Sequence, residues 1–262
     1  MINQSEKDNQ EKYPWERSTF FEEYNKILGY YQAISCIENS TGNSALDLPC
    51  GDGFITEIFD RHFSRVVGVD ASSAHLEQAK QRLPHIPFHE SLIEELTLTE
   101  KFDNVFMINV LEHVIDPIQV LKKAASFLNK GGNLIVHVPN ANAINRKIAV
   151  KMGTLRTCNE LSPFDIDIAG HRRYYTLDLL QKDIGNAGLK VIKTGGVFYK
   201  MLSSPQMDWF LKQGPWEEGG FGWGRVGESD KDWKKEFSRA CYEVGKEYPE
   251  ECNIVYACIQ KE

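Results

Sequence analysis

The sequence predicts a doubly wound α/β fold on one mostly parallel sheet, and three observations carry that prediction. Through the middle of the chain, short apolar runs rich in β-branched residues alternate with amphipathic helical segments. The first run, Ser44-Ala45-Leu46-Asp47-Leu48, passes directly into a turn holding two glycines, Gly51 and Gly53. The next, Val66-Val67-Gly68-Val69-Asp70, closes on an acid. Strand, glycine turn, helix and acid-terminated strand are the parts of a βαβ unit with a right-handed crossover.

Taken in order, residues 1–12 are polar with little to bury and are expected to form a disordered tail, leaving 13–262 as a single domain. Tyr13 to Glu38 places Phe20, Phe21, Tyr24, Ile27, Leu28, Tyr31 and Ile34 at helical spacing, so an N-terminal helix is expected over the ligand site. Strands are expected near 44–48, 65–69, 86–89, 103–109 and 133–138. Between them, Ser72 or Ser73 can cap a helix carrying Leu76, Ala79 and Leu83. Asp116-Pro117 starts another, with Ile118, Leu121, Ala125 and Leu128, which Gly131-Gly132 stops. Thr176 opens a third, through Leu179, Leu180 and Ile184 to Gly188. Two further strands, 191–199 and 253–259, bring the sheet to seven. Residues 200–252 between them hold Trp209, Trp216, Phe221, Trp223, Trp233 and glycines at 219, 220, 222, 224 and 227. A connection of this length reads as a functional insertion, here a substrate cap.

Composition narrows the partners. A chain of 262 residues with 42% hydrophobic and 26% charged residues can bury a substantial core. The net charge of −7, with no Lys/Arg-rich run, argues against nucleic acid. No apolar run approaches the roughly 20 residues that span a bilayer, and the polar start has no signal-peptide core, so a cytoplasmic protein is expected. Cysteines 36, 50, 158, 241, 252 and 258 include no C-x-x-C pair, so neither zinc nor a disulfide framework is signalled and no metal is expected. The expected partner is a small molecule, and the expected assembly a monomer or homodimer.

The glycine turn carries the chemistry. Gly51 and Gly53 allow a sharp turn with exposed N–H groups, and Asp70, about 20 residues further on, can accept both hydroxyls of a ribose. A dinucleotide would place its pyrophosphate here. Asp47 and Asp52 would repel it, and Thr56 stands where the G-x-G-x-x-G fingerprint needs Gly or Ala. A nicotinamide-dependent oxidoreductase is therefore the weaker reading, and a ligand with local positive charge the stronger.

Asp47 through Gly53 resembles the first motif of the class I, Rossmann-like methyltransferases that use S-adenosylmethionine (SAM), with Pro49 where that motif usually has its first glycine. Asp70 is similar to their ribose-binding acid. Phe102-Asp103-Asn104-Val105-Phe106-Met107-Ile108-Asn109-Val110-Leu111-Glu112-His113 resembles their fourth-strand motif, and the likeness runs from about Asn43 to Gly196. The resemblance implies a seven-stranded sheet with an antiparallel strand pair at its edge. It also implies a SAM cofactor, with S-adenosylhomocysteine as product. Cofactor contacts are implied at Asp47, Gly51, Gly53, Asp70, Ala71, Ser91, Leu92, Ile93, Asn109 and Val110.

Methyl transfer is an in-line displacement, so positioning does most of the work and a base is needed only for a hydroxyl or a protonated amine. His113, at the end of strand four, faces the ligand crevice and is the first catalytic candidate; local loop orientation is its structural alternative. His171, in His171-Arg172-Arg173-Tyr174-Tyr175, is the second. Arg172 could hold an anionic acceptor, and Tyr199 and Arg225 could complete its site. Glu112 reads more simply as a helix-start acid than as a ligand. The expected function is methyl transfer to O or N of a small, polar, anionic metabolite, the other reading being a SAM-binding module without turnover.

Overall fold

The computed structural model describes residues 6–7, 21–214, 216 and 232–261. A helix α1 (Glu22–Glu38) precedes β1 (Ser44–Asp47), α2 (Phe54–Asp60), β2 (Arg65–Asp70), α3 (Ser73–Arg82), β3 (Phe88–Glu90) and β4 (Phe102–Ile108). There follow α4 (Pro117–Ser126), β5 (Leu128–Pro139), α5 (Ile144–Lys151), α6 (Leu177–Asn186), β6 (Val191–Val197), α7 (Ser204–Gln213), α8 (Trp233–Glu247) and β7 (Ile254–Gln260). The seven strands form one sheet in the order β3-β2-β1-β4-β5-β7-β6. Neighbours from β3 to β5 pair parallel, while β7 runs antiparallel to both β5 and β6. The antiparallel pair expected at the edge is there, with the last strand inserted inside the sixth.

Local signals explain the helix starts. The Ser72 hydroxyl accepts the His75 N–H, Asp116 accepts from Ile118 and Gln119 with Pro117 in the first turn, and Thr176 accepts from Leu179. The helix expected to run to Leu128 ends at Ser126, because Leu128 already pairs with Phe102 on β4 before a register shift. The helical stretch expected from Tyr13 is observed from Glu22, and the residues before Phe21, apart from 6–7, lie outside those described.

Alternation along the strands divides the core. Leu46, Val67, Val105, Met107 and Leu134 face α4 and α6, meeting Val120, Leu121, Leu180 and Ile184. Ala45, Val66, Phe106 and Ile135 face the other way, onto Ala33 and Cys36 of α1 and Ile55 and Phe59 of α2. A third cluster joins Tyr24, Leu28 and Tyr31 of α1 to Met207 and Leu211 of α7, Tyr242 of α8 and Ile254 of β7. The described helices of the insertion thus pack on α1 and the sheet edge. Trp216 sits among Phe210 and Phe237 in that cluster, whereas Trp209 is exposed. Phe221, Trp223, Arg225 and the glycine cluster lie outside the described residues.

Candidate active site

Every parallel strand delivers its carboxyl end to the same edge of the sheet, and the cleft opens there. It has a volume of about 290 Å3 and is walled by the turn after β1, the ends of β2, β3 and β4, α1 and the loop around His171.

One half is built from backbone. Gly51 takes a left-handed φ of 53°, and its N–H donates to Asp70 Oδ2 at 2.9 Å. The Ser72 N–H donates to Asp70 Oδ1, also at 2.9 Å. Asp70 therefore locks the glycine turn to the end of β2, and each carboxylate oxygen keeps acceptor capacity for a ribose hydroxyl. Gly53 serves packing: its φ is 79°, and a Cβ there would sit 3.1 Å from the backbone of Ala79 in α3. Ala71, Ser91, Leu92, Ile93, Asn109 and Val110 line the cleft.

Asp47 and Gly53 are not among the cleft-lining residues. Asp47 is buried and accepts the Thr56 hydroxyl at 2.7 Å, which gives a reason for Thr56 in place of a third glycine: it fastens α2 to β1. Asp52 does line the cleft, with Arg82 3.6 Å away on its outer side. Glu6, Asp52, Asp70 and Glu94 face the cleft, and no Lys or Arg does among the described residues. That charge pattern suits a sulfonium and an ammonium, and it repels a pyrophosphate.

The other half is built from side chains. Glu112 is fully buried, and neither carboxylate oxygen has a hydrogen-bond partner. Burial pushes its pKa up to about 8, so it is protonated at neutral pH. His113 Nε2 lies 3.7 Å from Glu112 Oε1, and its Nδ1 lies 3.3 Å from the Gly170 carbonyl. Burial, helped by the neighbouring His171, lowers the His113 pKa to about 3. His171 packs edge-on against His113, ring centroids 5.0 Å apart, and burial lowers it to about 4 against the pull of Asp165. Glu112, His113 and His171 bring ligand atoms within 4.8 Å of one another, a spacing that would admit a divalent ion. Burial favours the neutral form of all three at pH 7.

Of the three residues expected at the acceptor, two stand elsewhere and the third is outside the described residues. The Arg172 guanidinium donates to the His113 carbonyl at 2.6 Å and pairs with Glu6 at 2.9 Å, so it clamps the cleft wall from behind. Arg173 does the same to the carbonyls of Leu111 and Val114, which fixes the loop that presents Glu112 and His113. Tyr199 donates to Glu251 at the sheet edge and does not line the cleft, and Arg225 is outside the described residues. An anionic acceptor therefore finds no cation among the described lining residues.

Sequence reasoning missed Gln32, Asn25, Ser72, His75 and Glu94 as lining residues. Gln32 had a signal: a polar residue on the apolar face of α1. Its side-chain amide exchanges two hydrogen bonds with Asn109, at 3.1 and 3.3 Å.

A parallel sheet whose first turn is clasped by a ribose-ready acid, beside an acid-lined cleft, defines a nucleoside-binding transferase of Rossmann-like fold. Residues 19–194 match the family described as "Methyltransferase domain", and the chain belongs to that family, the SAM-dependent methyltransferases. The ubiquinone biosynthesis O-methyltransferase of Bradyrhizobium sp. (strain ORS 278) is 34% identical over 115 residues, 42% of this chain and 44% of the relative. Its Rhodopseudomonas palustris (strain BisB5) counterpart is 27% identical over 188 residues, 68% of this chain and 71% of the relative. The chain thus aligns with under half the length of the first curated relatives. In fold, a SAM-dependent methyltransferase from Thermotoga maritima, described as a possible histamine N-methyltransferase, superposes with a TM-score of 0.58 at 16% identity, over 94% of this chain and 98% of its own. The N-methyltransferase NodS of Bradyrhizobium japonicum WM9, solved with S-adenosylhomocysteine, gives 0.51 at 14% identity, over 98% and 95%.

Proposed function

We propose that this chain moves the methyl group of SAM to a hydroxyl oxygen of a small, polar acceptor. The observation that carries the reading is the Glu112–His113 pair, 3.7 Å apart and buried at the end of β4 in the wall of the cleft. When bound, SAM supplies an electrophilic methyl on a sulfonium. The residues do the rest. Asp70 and the Gly51 turn hold the nucleoside, and the acidic lining attracts the positive end. His113, its Nδ1 turned to the Gly170 carbonyl, offers Nε2 as the proton acceptor for the hydroxyl. Glu112, 3.7 Å away, keeps its proton and turns a carboxyl oxygen towards the imidazolium that forms, steadying it as a dipole.

The curated relatives are named O-methyltransferases, which supports oxygen as the receiving atom. The cleft's lack of described cations turns the expectation of an anionic acceptor towards a neutral, hydroxyl-bearing one. Its small volume supports a metabolite as acceptor, and the expected cytoplasmic setting and monomer or homodimer assembly stay part of the proposal.

Titration calorimetry with SAM and with NAD, followed by methyl transfer from radiolabelled SAM to phenols, catechols, amines and carboxylates, tests the reading. SAM binding with transfer to a hydroxyl is expected. Binding of NAD in its place, or transfer to carboxylates alone, would overturn it.

A further inference from the structure

We propose that Asp165, carried on the one-turn π-helix Phe164–Ile168, is a positioning residue that fixes the His171 ring in the Nδ1–H form with Nε2 turned to the acceptor end of the cleft. The assignment rests on reading the cleft as a methyl-transfer site.

The Asp165 carboxylate is immobilised from several sides. Oδ2 accepts the Ser162 N–H and hydroxyl, both at 2.7 Å, and Oδ1 accepts the Tyr174 hydroxyl at 2.9 Å. Arg146 lies 3.7 Å from Oδ2, its guanidinium stacked 3.9 Å from the Tyr174 ring centre. The Asp165 carbonyl accepts the His171 backbone N–H at 2.7 Å, so the π-helix and the histidine are one unit. The whole unit is docked on the β4 end by the Arg172 N–H, which donates to the Glu112 carbonyl at 2.8 Å.

Within that frame, His171 Nδ1 is buried without a hydrogen-bond partner and lies 4.0 Å from Asp165 Oδ1. A neutral imidazole carries one hydrogen on two nitrogens. Placing it on Nδ1 turns an N–H towards a carboxylate, whereas the other tautomer aims a lone pair at a negative charge. The groups facing the ring are Asp165, Arg146, Glu112, His113 and Tyr174, and Asp165 alone among them favours a hydrogen on Nδ1 from that side. A contact of 4.0 Å is long, as such contacts often are before substrate binds. His113 shows the same device one residue away: its Nδ1 faces the Gly170 carbonyl at 3.3 Å. Consecutive stretches of one loop thus set the tautomers of two histidines.

Long-range 1H–15N spectra of the 15N-labelled full chain at pH 7, with His171 assigned through His171→Gln, read the tautomer directly. The wild type should show Nδ1–H. Asp165→Asn should shift His171 to a mixture containing the Nε2–H form and cut kcat about 10-fold, with the Kd for SAM unchanged. Tyr174→Phe, which removes a hydroxyl from the same carboxylate but leaves its charge, should keep the tautomer. A wild-type spectrum showing Nε2–H overturns the assignment even if Asp165→Asn fails to fold, and so does an Asp165→Asn spectrum identical to wild type. Because the spectrum needs no acceptor, Nδ1–H in a chain that methylates nothing would overturn the functional reading alone.

Discussion

The two halves of the cleft are made differently. The cofactor half is a backbone device, in which a left-handed Gly51, the N–H of Ser72 and one carboxylate, Asp70, are set by consecutive stretches of a single βαβ unit. The acceptor half is a side-chain device assembled from distant segments, with Glu112 and His113 after β4 and His171 and Asp165 in the loops between α5 and α6. The first is polar and charged; the second is buried and neutral. The difference teaches that the first half depends on local geometry, and the second, where proton transfer is proposed, on burial arranged by the whole fold.

Substitutions can separate the halves. The largest effect is expected for His113→Ala, a loss of roughly 10²–10⁴ in kcat with the Kd for SAM held, since a positioned base contributes on that order. Single-turnover methyl transfer beside calorimetry reads both. Equal loss in binding and turnover would show that His113 belongs to the cofactor half. Next is Asp70→Ala, expected to weaken SAM about 100-fold or more, because charge-assisted hydrogen bonds to ribose and the tie to the Gly51 turn go together. Asp70→Asn keeps one acceptor and should fall between. Unchanged affinity in either would remove the ribose assignment.

The same division explains what the sequence could reveal. Strand–glycine–helix–acid is a local pattern, so the sheet, the caps at Ser72 (or Ser73), Asp116 and Thr176 and the acid closing β2 were legible, whereas the hold of Asp70 on the Gly51 and Ser72 N–H groups was not. His113 was legible from its place after β4. Arg172 was misread because its residue type suits an anion, while its neighbours' carbonyls, met only in three dimensions, claim the guanidinium. Asp165 gave no signal at all: a Ser-Pro-Phe-Asp-Ile-Asp stretch has no period that marks a π-turn or a partner six residues on. The insertion was read as a cap from its length and tryptophans, yet the described part of it buries Met207, Leu211 and Tyr242 against α1.

The neutral half also leaves a mark on stability. The unfolded Glu112 carboxyl ionises near its ordinary 4.5, while the folded one holds its proton to about 8. Between those values the unfolded state binds fewer protons, so this residue makes stability fall as pH rises. Glu112→Gln removes that penalty and should stabilise the chain by roughly 3 kcal/mol at pH 7, with little gain near pH 4. His113 and His137, both lowered to about 3, and His171, lowered to about 4, act in the opposite sense: their contribution is complete above pH 6.5 and lost as pH falls towards those values. Denaturant melts of wild type and Glu112→Gln from pH 4 to 8 measure both slopes, and parallel curves would mean that Glu112 is not buried as a neutral acid.

The smallest effect is expected at the seam between the halves. Asn109 holds a left-handed φ of 52°, costly for a residue with a Cβ, and its amide is braced by Gln32 of α1 through two hydrogen bonds. Gln32→Ala removes the brace and an amide from the cleft wall, at a cost of about 1 kcal/mol, or a 3- to 10-fold weaker SAM complex with kcat unchanged. Asn109→Gly relieves the backbone but loses the same two bonds, so on its own the gain and loss largely cancel. If the brace exists to hold that strained turn, the double substitution should bind SAM better than the Gln32→Ala loss predicts, because glycine no longer needs the partner that is missing. Strict additivity in that cycle would instead make Gln32 a direct cofactor contact, and α1 part of the cofactor half rather than the hinge between the two.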